Sequence, residues 1–403
     1  MKVALIGNMN NNHFSFMRYL RDLEIDAYLL MYSNEQEHFL PQNDTWQLEK
    51  WKPFIKKINL DSGGKKNLYL TKKQIQKELR GFNIYIGNGH APGYFYRAGM
   101  ILDIFLPYAE GVEGLCMRFN PKKKKSYFFL FLKFLQRRGL IRSTILSCSL
   151  SELTIKKFKK LDVKYKRLGI PMVYQEEAVM GKKQEYFKNT LSKFSHRDFI
   201  LFSHVSHIWK NPPYWWKCDL KSNHILIEGF SLFIKQKKCP KPLLVLIDYG
   251  IDVNESKQLI SSFGISNFVL WLPKMSRKEI MYILDFVDIG CGELGGAVWG
   301  STGWEFMSKG IPFFQSVDLT PEEYEIETGN PFPPIVNVSS PEEIRDHLLH
   351  YEINRDYYIS LGTKLKEWYD SYAGISLAMK YQRIIENIYK KKAPEQAHYE
   401  NRL

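Results

Sequence analysis

The amino-acid sequence predicts an α/β protein built on two doubly wound parallel sheets. Three observations support this prediction: short apolar runs recur along the 403 residues, segments with helical spacing of apolar residues separate them, and the series starts afresh near residue 199. Alternating strands and helices are typical of parallel sheets that are covered by helices on both faces. A chain of this length can hold two or three domains, each with its own core.

The first half of the chain begins with a β–loop–α–β unit. Lys2–Ile6 predicts a buried strand, residues 14–23 have the spacing of a helix, and residues 27–31 predict a second strand. The Asn-rich loop at 7–12 follows the first strand, so we expect it at the carboxyl edge of the sheet, where ligands bind in such folds. Further strands are predicted at 84–86, 104–106 and 144–148, and a helix at 151–161.

The second half follows a charged segment at 182–197, which predicts a helix. Its predicted strands are 199–203, 243–247, 268–272, 287–291 and 312–315, and the helices between them are 225–235, 254–263, 277–284 and 304–309. A long amphipathic tail helix is predicted at about 353–391. We therefore expect an N-terminal domain at 1–175, a C-terminal domain at 199–352 and a helical tail at 353–403.

Composition and charge restrict the possible partners. Hydrophobic residues make up 44% of the chain and charged residues 25%, which is typical of a globular protein. The net charge of +14 favours an anionic partner, although a solvated lysine-rich surface would also explain it. Since no low-complexity basic arm occurs, we do not expect a nucleic acid. The five Cys residues are odd in number and form no CxxC pair, which favours a reduced, cytoplasmic location. The apolar part of the start is too short for a signal peptide, and no run of about 18 apolar residues occurs, so we expect no membrane-spanning helix.

The segment at 300–312, GSTGWEFMSKGIP, is the most informative in the chain. A turn of small residues before a helix leaves backbone N–H groups that can bind phosphate, here those of Ser301, Thr302 and Gly303. Glu305, one turn further, can accept hydrogen bonds from a pair of sugar hydroxyls. The alternative is an ordinary capping turn with a Glu that complements the helix dipole. Phosphate beside sugar indicates a sugar nucleotide.

A basic and aromatic segment, FNPKKKKSYFFLFLKFLQRRGLIR at 119–142, is too short and too charged to span a bilayer. It is typical of an interfacial helix on anionic lipid, although a core helix with solvated basic ends would have the same composition. We predict membrane contact through the aromatic run and the four lysines before it, Lys122, Lys123, Lys124 and Lys125.

Several motifs resemble those of GT-B glycosyltransferases, and more specifically the GT4-like retaining group found in bacterial surface-polysaccharide clusters. In the second half these are KSN at 221–223, DYG at 248–250, WLP at 271–273 and EFMSKGIP at 305–312. In the first half they are GNMNNNHF at 7–14, GNGHAPG at 87–93 and DIFLPYAEG at 103–111. The resemblance implies two Rossmann-like domains facing a central cleft, with a long C-terminal helix that packs back.

The resemblance also implies roles in donor binding. Glu305 would bind the nucleotide ribose, and residues 301–303 the diphosphate. Lys221 would neutralise the leaving diphosphate, while His207 lies nearest to the position of the family's phosphate-binding Arg. The family's first carboxylate, eight positions before Glu305, is replaced by Ala297, and Glu293 lies four residues earlier than required. A surface lysine and a structural histidine are the ordinary alternatives for Lys221 and His207.

The first half offers candidates for acceptor binding and proton transfer. Gly7 and Asn8 lie where an N-terminal loop would meet the donor phosphate or the acceptor, although Asn-rich turns also form for local reasons. His90, in a loop after a predicted strand, could bind the acceptor or carry a proton. Glu110 and Glu113 follow the next strand, and either could orient the acceptor hydroxyl or act as base.

These expectations combine into one reading of function. The chain is expected to transfer a hexose from a nucleoside-diphosphate sugar to a glycan acceptor on a lipid carrier, at the inner face of the cytoplasmic membrane. Neither an Asp-x-Asp nor an HExxH motif occurs, so no metal or cofactor is expected to be required. Two alternatives remain: a UDP-sugar 2-epimerase of the same fold, and a non-catalytic protein that binds sugars or nucleotides.

Overall fold

The computed structural model describes residues 1–107, 124–146, 152–160, 162–176, 182–211, 220–295 and 299–400. The chain divides into two compact units, each containing one parallel sheet. The first unit consists of Met1–Tyr174, Tyr324–Asn330 and Tyr372–Leu403, and the second of Gln175–Glu323 and Pro331–Ser371. Both ends of the chain therefore belong to the first unit.

The first unit is built on a seven-stranded parallel sheet with the order β3-β2-β1-β4-β5-β6-β7. The order reverses between β1 and β4, which is the topological switch point of this sheet. Both faces are covered, since Val3 and Leu5 lie in one apolar cluster and Ala4 and Ile6 in another. The strands are β1 (Lys2–Ile6), β2 (Asp26–Met31), β3 (Ile55–Lys57), β4 (Ile84–Gly87), β5 (Ile104–Phe105), β6 (Thr144–Leu146) and β7 (Lys164–Lys166).

The second unit repeats the design with a six-stranded parallel sheet of order β10-β9-β8-β11-β12-β13. Its switch point lies between β8 and β11. Leu201, Leu244 and Ile289 are buried in the core of this unit. The strands are β8 (Phe199–Ser203), β9 (Pro242–Asp248), β10 (Val269–Pro273), β11 (Ile289–Cys291), β12 (Phe313–Gln315) and β13 (Val336–Asn337).

Helices connect the strands in both units and cover the sheets. Those up to residue 160 are α1 (Asn12–Asp22), α2 (Leu48–Trp51), α3 (Lys72–Leu79), α4 (Ala91–Ala98), α5 (Lys124–Leu140) and α6 (Glu152–Lys160). The later ones are α7 (Lys182–Phe194), α8 (Asn223–Gln236), α9 (Val253–Ser262), α10 (Arg277–Ile283), α11 (Ser301–Lys309), α12 (Pro321–Thr328), α13 (Pro341–Ile353), α14 (Arg355–Tyr372) and α15 (Ile375–Glu400).

The predicted tail helix is wrong in one respect, because the structure contains two helices there. They are α14 and α15, which are separated by a turn at Ala373 and Gly374. The last helix packs back onto the first unit, as predicted: Leu377 and Ile385 are buried in its core, and the Tyr381 hydroxyl donates to the carbonyl of Gly169 at 2.7 Å.

The predicted strands are all present, with ends that shift by at most two residues; the end at 147–148 lies outside the described residues. Strands β3, β7 and β13 were not among the predicted strands. The first two read IKK and KYK and lie at the two edges of their sheet, where a strand needs little apolar sequence because one side is open. Within the described part of the chain, no helix is both long enough and apolar enough to cross a membrane.

Candidate functional site

The switch point of the second sheet brings together residues that are far apart in the chain. His204 directly follows β8, Glu293 follows β11 by two residues, and α11 begins shortly after. Because β8 and β11 are neighbouring parallel strands, their carboxyl ends open at the same edge of the sheet. This is the place where ligands bind in open α/β sheets.

The carboxylate of Glu305 is the centre of a buried ionic cluster. Glu305 as a whole residue is only 3% exposed. Arg277 donates from Nε to Oε1 at 2.8 Å, and His204 lies with Nε2 2.6 Å from Oε2. Burial by itself raises the pKa of Glu305, but the hydrogen bond and charge of His204, together with Arg277, outweigh it and hold that pKa below the usual value. Glu305 is therefore ionised, and His204 must be the donor of their hydrogen bond.

The first turn of α11 has the features of an anion-binding helix start. Gly300, at the N-cap, provides no side-chain cap, and the first turn contains no acidic residue. The hydroxyl oxygen of Thr302 is buried without a hydrogen-bond partner in the described chain. A Cβ at Gly303 would lie 2.5 Å from that of Trp299, so only glycine fits at this close approach. Residues 301–303, which were predicted as a turn, form the first turn of α11, because this helix begins at Ser301 and not at residue 304 as predicted.

Lys221 and Glu293 form a second ionic pair at the same edge. The Lys221 ammonium lies 2.7 Å from Oε2 of Glu293, with the two side chains 21% and 15% exposed. The two loops are also joined through the backbone, since the N–H of Leu294 donates to the carbonyl of Lys221 at 3.2 Å. The other carboxylate oxygen of Glu293 lies against Gly300, 2.8 Å from the point where a Cβ would stand. Lys221, Glu293 and the start of α11 are therefore neighbours.

His207 lies inside the second unit rather than at its surface. His207 is 0% exposed, and its Nδ1 lies 2.8 Å from the hydroxyl of Ser256. Burial lowers the pKa of His207 to about 4, despite the opposing influence of Asp248 and Asp252. The ring packs beside Trp271. This placement indicates a packing role, and the predicted donor contact of His207 stays a prediction.

In the first unit, the loop after β1 is held by its own side chains. Asn8 is 0% exposed, its amide donates to the carbonyl of Phe39 at 2.5 Å, and its side-chain oxygen accepts from the N–H of Phe14 at 2.9 Å. Gly7 has φ +80°, and a Cβ there would lie 2.0 Å from the side-chain oxygen of Asn88. The loop is thus rigid for local reasons, and a ligand contact of Gly7 and Asn8 stays a prediction.

His13 was missed in the sequence, although it follows the Asn-rich loop directly. It is 0% exposed at the switch point of the first sheet, and its Nδ1 donates to the carbonyl of Gly7 at 2.9 Å. Asn88, after β4, lies 3.1 Å from the same nitrogen. Burial lowers the pKa of His13 to about 4, with the hydrogen bond to Gly7 opposing. His13 is therefore neutral near pH 7.

His90 is the residue before α4, and it is only partly exposed. Its ring packs against Gly64, where a Cβ would lie 2.9 Å from Cγ, and burial lowers its pKa. It helps to line a pocket of about 190 Å³. The other lining residues come from the loop after β3 and from α5: Gly63, Lys65, Phe128, Phe129, Leu132 and Lys133.

Several predicted residues lie outside the described part of the chain. These are Glu110, Glu113, Lys122, Lys123 and the substituted position Ala297, and nothing is described of the side chains of Lys124 and Lys125. In the ranges that the structure does describe, no three His, Cys, Asp or Glu side chains are grouped so that they could hold a metal ion.

Comparison with known proteins gives similarity in structure alone. No protein-family model matches the chain. None of the curated proteins matches it either. Among solved structures, Anabaena HepE in complex with UDP and glucose superposes over 96% of this chain and 100% of its own, with a TM-score of 0.58 and 12% identity. Sucrose-phosphate synthase from Thermosynechococcus elongatus covers 97% and 100%, with a TM-score of 0.56 and 10% identity.

A glycosyltransferase from Rickettsia africae is similar to the same degree, with a TM-score of 0.57 and 15% identity over 96% of this chain and 98% of its own. These neighbours are GT-B proteins, and the likeness extends over nearly the whole chain. The predicted α/β fold of the GT-B class is confirmed. At identities this low, the comparisons establish the fold and leave activity to be argued from the site.

Proposed function

We propose that the protein is a glycosyltransferase that moves a hexose from a nucleoside-diphosphate sugar to a glycan acceptor. The observation that carries the proposal is the cluster around Glu305. A buried, ionised carboxylate one turn inside an uncapped helix start, at the switch point of a parallel sheet, is suited to bind a ribose beside a diphosphate. HepE, which has the same fold, binds UDP-glucose in its crystal structure, and this supports a nucleotide-sugar donor.

Each group at this edge has a chemical part in the proposed reaction. Glu305 accepts hydrogen bonds from the ribose hydroxyls, and the N–H groups of Ser301, Thr302 and Gly303 bind the diphosphate. When the bond to the anomeric carbon breaks, negative charge develops on the leaving diphosphate. Lys221 stabilises that charge, because a fixed cation interacts more strongly with the transition state than with the bound donor.

The finer assignment rests on the sequence resemblance. We propose a GT4-like, retaining enzyme of bacterial surface-polysaccharide synthesis, in which Glu110, Glu113 or His90 orients or deprotonates the acceptor hydroxyl. His90 has support from its position, since it follows β4 at the edge of the sheet and lines a pocket. The helix start and Lys221 supply the electrostatic stabilisation, so the proposed reaction needs no metal or other cofactor.

The decisive experiment measures turnover. Purified protein is incubated with a panel of UDP-, GDP- and ADP-sugars, with and without a lipid-linked glycan acceptor, and the free nucleoside diphosphate is quantified. We expect release only when acceptor is present, and loss of that release in Lys221→Met. Isomerised nucleotide sugar without release would indicate the epimerase instead. Binding without turnover for every donor and acceptor would support the non-catalytic protein and contradict our proposal.

We also propose that the acceptor is lipid-linked and that the protein works as a peripheral protein at the cytoplasmic face of the membrane. The supporting observation is the outer face of α5. Tyr127, Leu130 and Phe134 are 58%, 41% and 52% exposed at helical spacing, and Arg137 and Arg138 continue that face. Exposed aromatic side chains beside cations are typical of helices that lie on anionic lipid.

A further inference from the structure

The pair formed by Glu293 and Lys221 is unusual because it places an anion where the proposed function requires a phosphate. One oxygen of the Glu293 carboxylate is 2.7 Å from the Lys221 ammonium. The other lies against Gly300, at the N-cap of α11. The carboxylate therefore contacts the proposed leaving-group cation and also sits at the helix start that would bind the diphosphate.

Hydrogen bonds hold the backbone of Glu293 in place next to Lys221 and the start of α11. The buried side chain of Gln315 accepts from the N–H of Glu293 at 3.1 Å and donates to its carbonyl at 2.6 Å. The N–H of Ser316 donates to the same carbonyl at 3.1 Å. With both side chains of the ion pair mostly buried, the attraction between Glu293 and Lys221 is screened less than at an open surface.

We infer that Glu293 is an internal competitor of the donor phosphate, so that a nucleotide binds by displacing this carboxylate from Lys221 and from the start of α11. The inference rests on the proposed function of this edge. Two anions cannot both lie against one ammonium without repelling each other, and a diphosphate carries more charge than a carboxylate. Glu293 thereby determines specificity: a ligand with a diphosphate can displace it, whereas a nucleoside or a neutral sugar cannot.

The test compares ligands that differ only in phosphate content. Dissociation constants of uridine, UMP, UDP and inorganic pyrophosphate are measured calorimetrically for the wild type, for Glu293→Gln and for the surface control Glu342→Gln. Because Glu293→Gln removes the competing charge, we expect UDP and pyrophosphate to bind five- to tenfold more tightly, with uridine unchanged. If UDP and pyrophosphate bind to Glu293→Gln as tightly as to the wild type, or less tightly, the inference is overturned, since Glu293 then does not compete with the phosphate.

A second variant shows whether the gain acts through Lys221. In Lys221→Met, UDP binding is expected to weaken, and adding Glu293→Gln should restore little, because the cation for which the two anions compete is absent. If Glu293→Gln tightens UDP binding equally in the presence and in the absence of Lys221, the carboxylate is not displaced from Lys221 and the inference is contradicted. Thermal unfolding of each variant confirms that it is folded.

The inference and the proposed function can fail separately. Tighter pyrophosphate binding by Glu293→Gln, with no binding of any nucleoside diphosphate, would support the role of Glu293 as a competitor and refute the nucleotide site. Tight UDP binding by the wild type, with no gain in Glu293→Gln, would support the nucleotide site and refute the competitor.

Discussion

A carboxylate as deeply buried as that of Glu305 requires partners, because an isolated charge in the interior is costly. His204 and Arg277 supply them, and they lie 101 and 28 residues away in the chain. The local pattern around residue 305 was enough to single out this Glu. It could not identify its partners, since their proximity depends on which strands are neighbours in the sheet. A histidine directly after a predicted strand was the one signal that could have indicated His204.

At the residue scale, we predict that Glu305→Gln weakens both the fold and nucleotide binding. The amide leaves Arg277 buried without its counter-charge, which costs about 3 kcal/mol in the free energy of unfolding. It also removes a charged acceptor for the ribose, so UDP affinity should fall at least about tenfold. Urea unfolding and calorimetry measure the two effects, with the exposed Glu325→Gln as control. A loss of stability with unchanged UDP affinity would assign Glu305 a structural role only.

A second residue-scale prediction concerns acid. His13 and His207 are neutral when folded, with pKa values lowered by burial to about 4, whereas an unfolded His titrates near 6.5. Between these values the unfolded chain binds more protons, so the stability present above pH 6.5 is lost as the pH falls toward 4. The loss is about 1.4 kcal/mol per pH unit for each histidine.

Replacement of either histidine by Gln should flatten this pH dependence. The melting temperature is measured from pH 7 to pH 4 for the wild type, His13→Gln and His207→Gln, and for His38→Gln, whose side chain is exposed. A slope unchanged in both buried variants would show that these histidines do not carry the acid sensitivity.

At the scale of elements, strands with apolar runs could be predicted from the sequence, whereas helices whose starts resemble loops were not predicted. His90 was expected in a loop after a predicted strand, yet it directly precedes α4, which begins at Ala91, because Pro92 is tolerated in the first turn of a helix. The start of α13 does carry a sequence signal, because Ser340 and Glu343 form a capping box, with Pro341 in the first turn.

The helix α5 gives the prediction at this scale. Leu130→Asp with Phe134→Asp should abolish co-sedimentation with vesicles that contain anionic lipid, because both side chains lie on the exposed apolar face. The inner face remains intact, since Leu132, Leu135 and Leu140 are buried, so the variant should fold. Tyr69→Asp, at another exposed apolar residue of the same unit, is the matched control. Equal sedimentation of all three proteins would remove the membrane proposal.

At the scale of the whole molecule, the two-sheet pattern could be predicted because parallel strands buried on both faces read as uninterrupted apolar runs. The way in which the last helices are divided between the two units could not be predicted. Helical periodicity at 353–391 indicates a buried face but does not reveal which core covers it. In the structure a turn at Ala373 and Gly374 separates two helices: α14, except for its last residue Tyr372, lies in the second unit, and α15 lies in the first.

The first unit should therefore depend on the end of the chain. Ile385 is 0% exposed in its core, so Ile385→Ala should cost about 2–5 kcal/mol in the free energy of unfolding. Further along α15, Lys392 pairs at 2.7 Å with Asp103, a carboxylate whose pKa is raised by burial although Lys392 opposes the shift. Lys392→Met should destabilise the same unit, because it leaves this buried carboxylate without its counter-charge.

Urea unfolding measures both effects, with Met379→Ala, an exposed position on the same helix, as the control. UDP affinity of the folded variants should stay at the wild-type value, because every residue proposed to hold the nucleotide diphosphate at the α11 edge belongs to the second unit. Stability equal to the wild type in both Ile385→Ala and Lys392→Met would show that α15 is dispensable to the first unit. The core described for that unit would then be wrong in one of its two apolar layers.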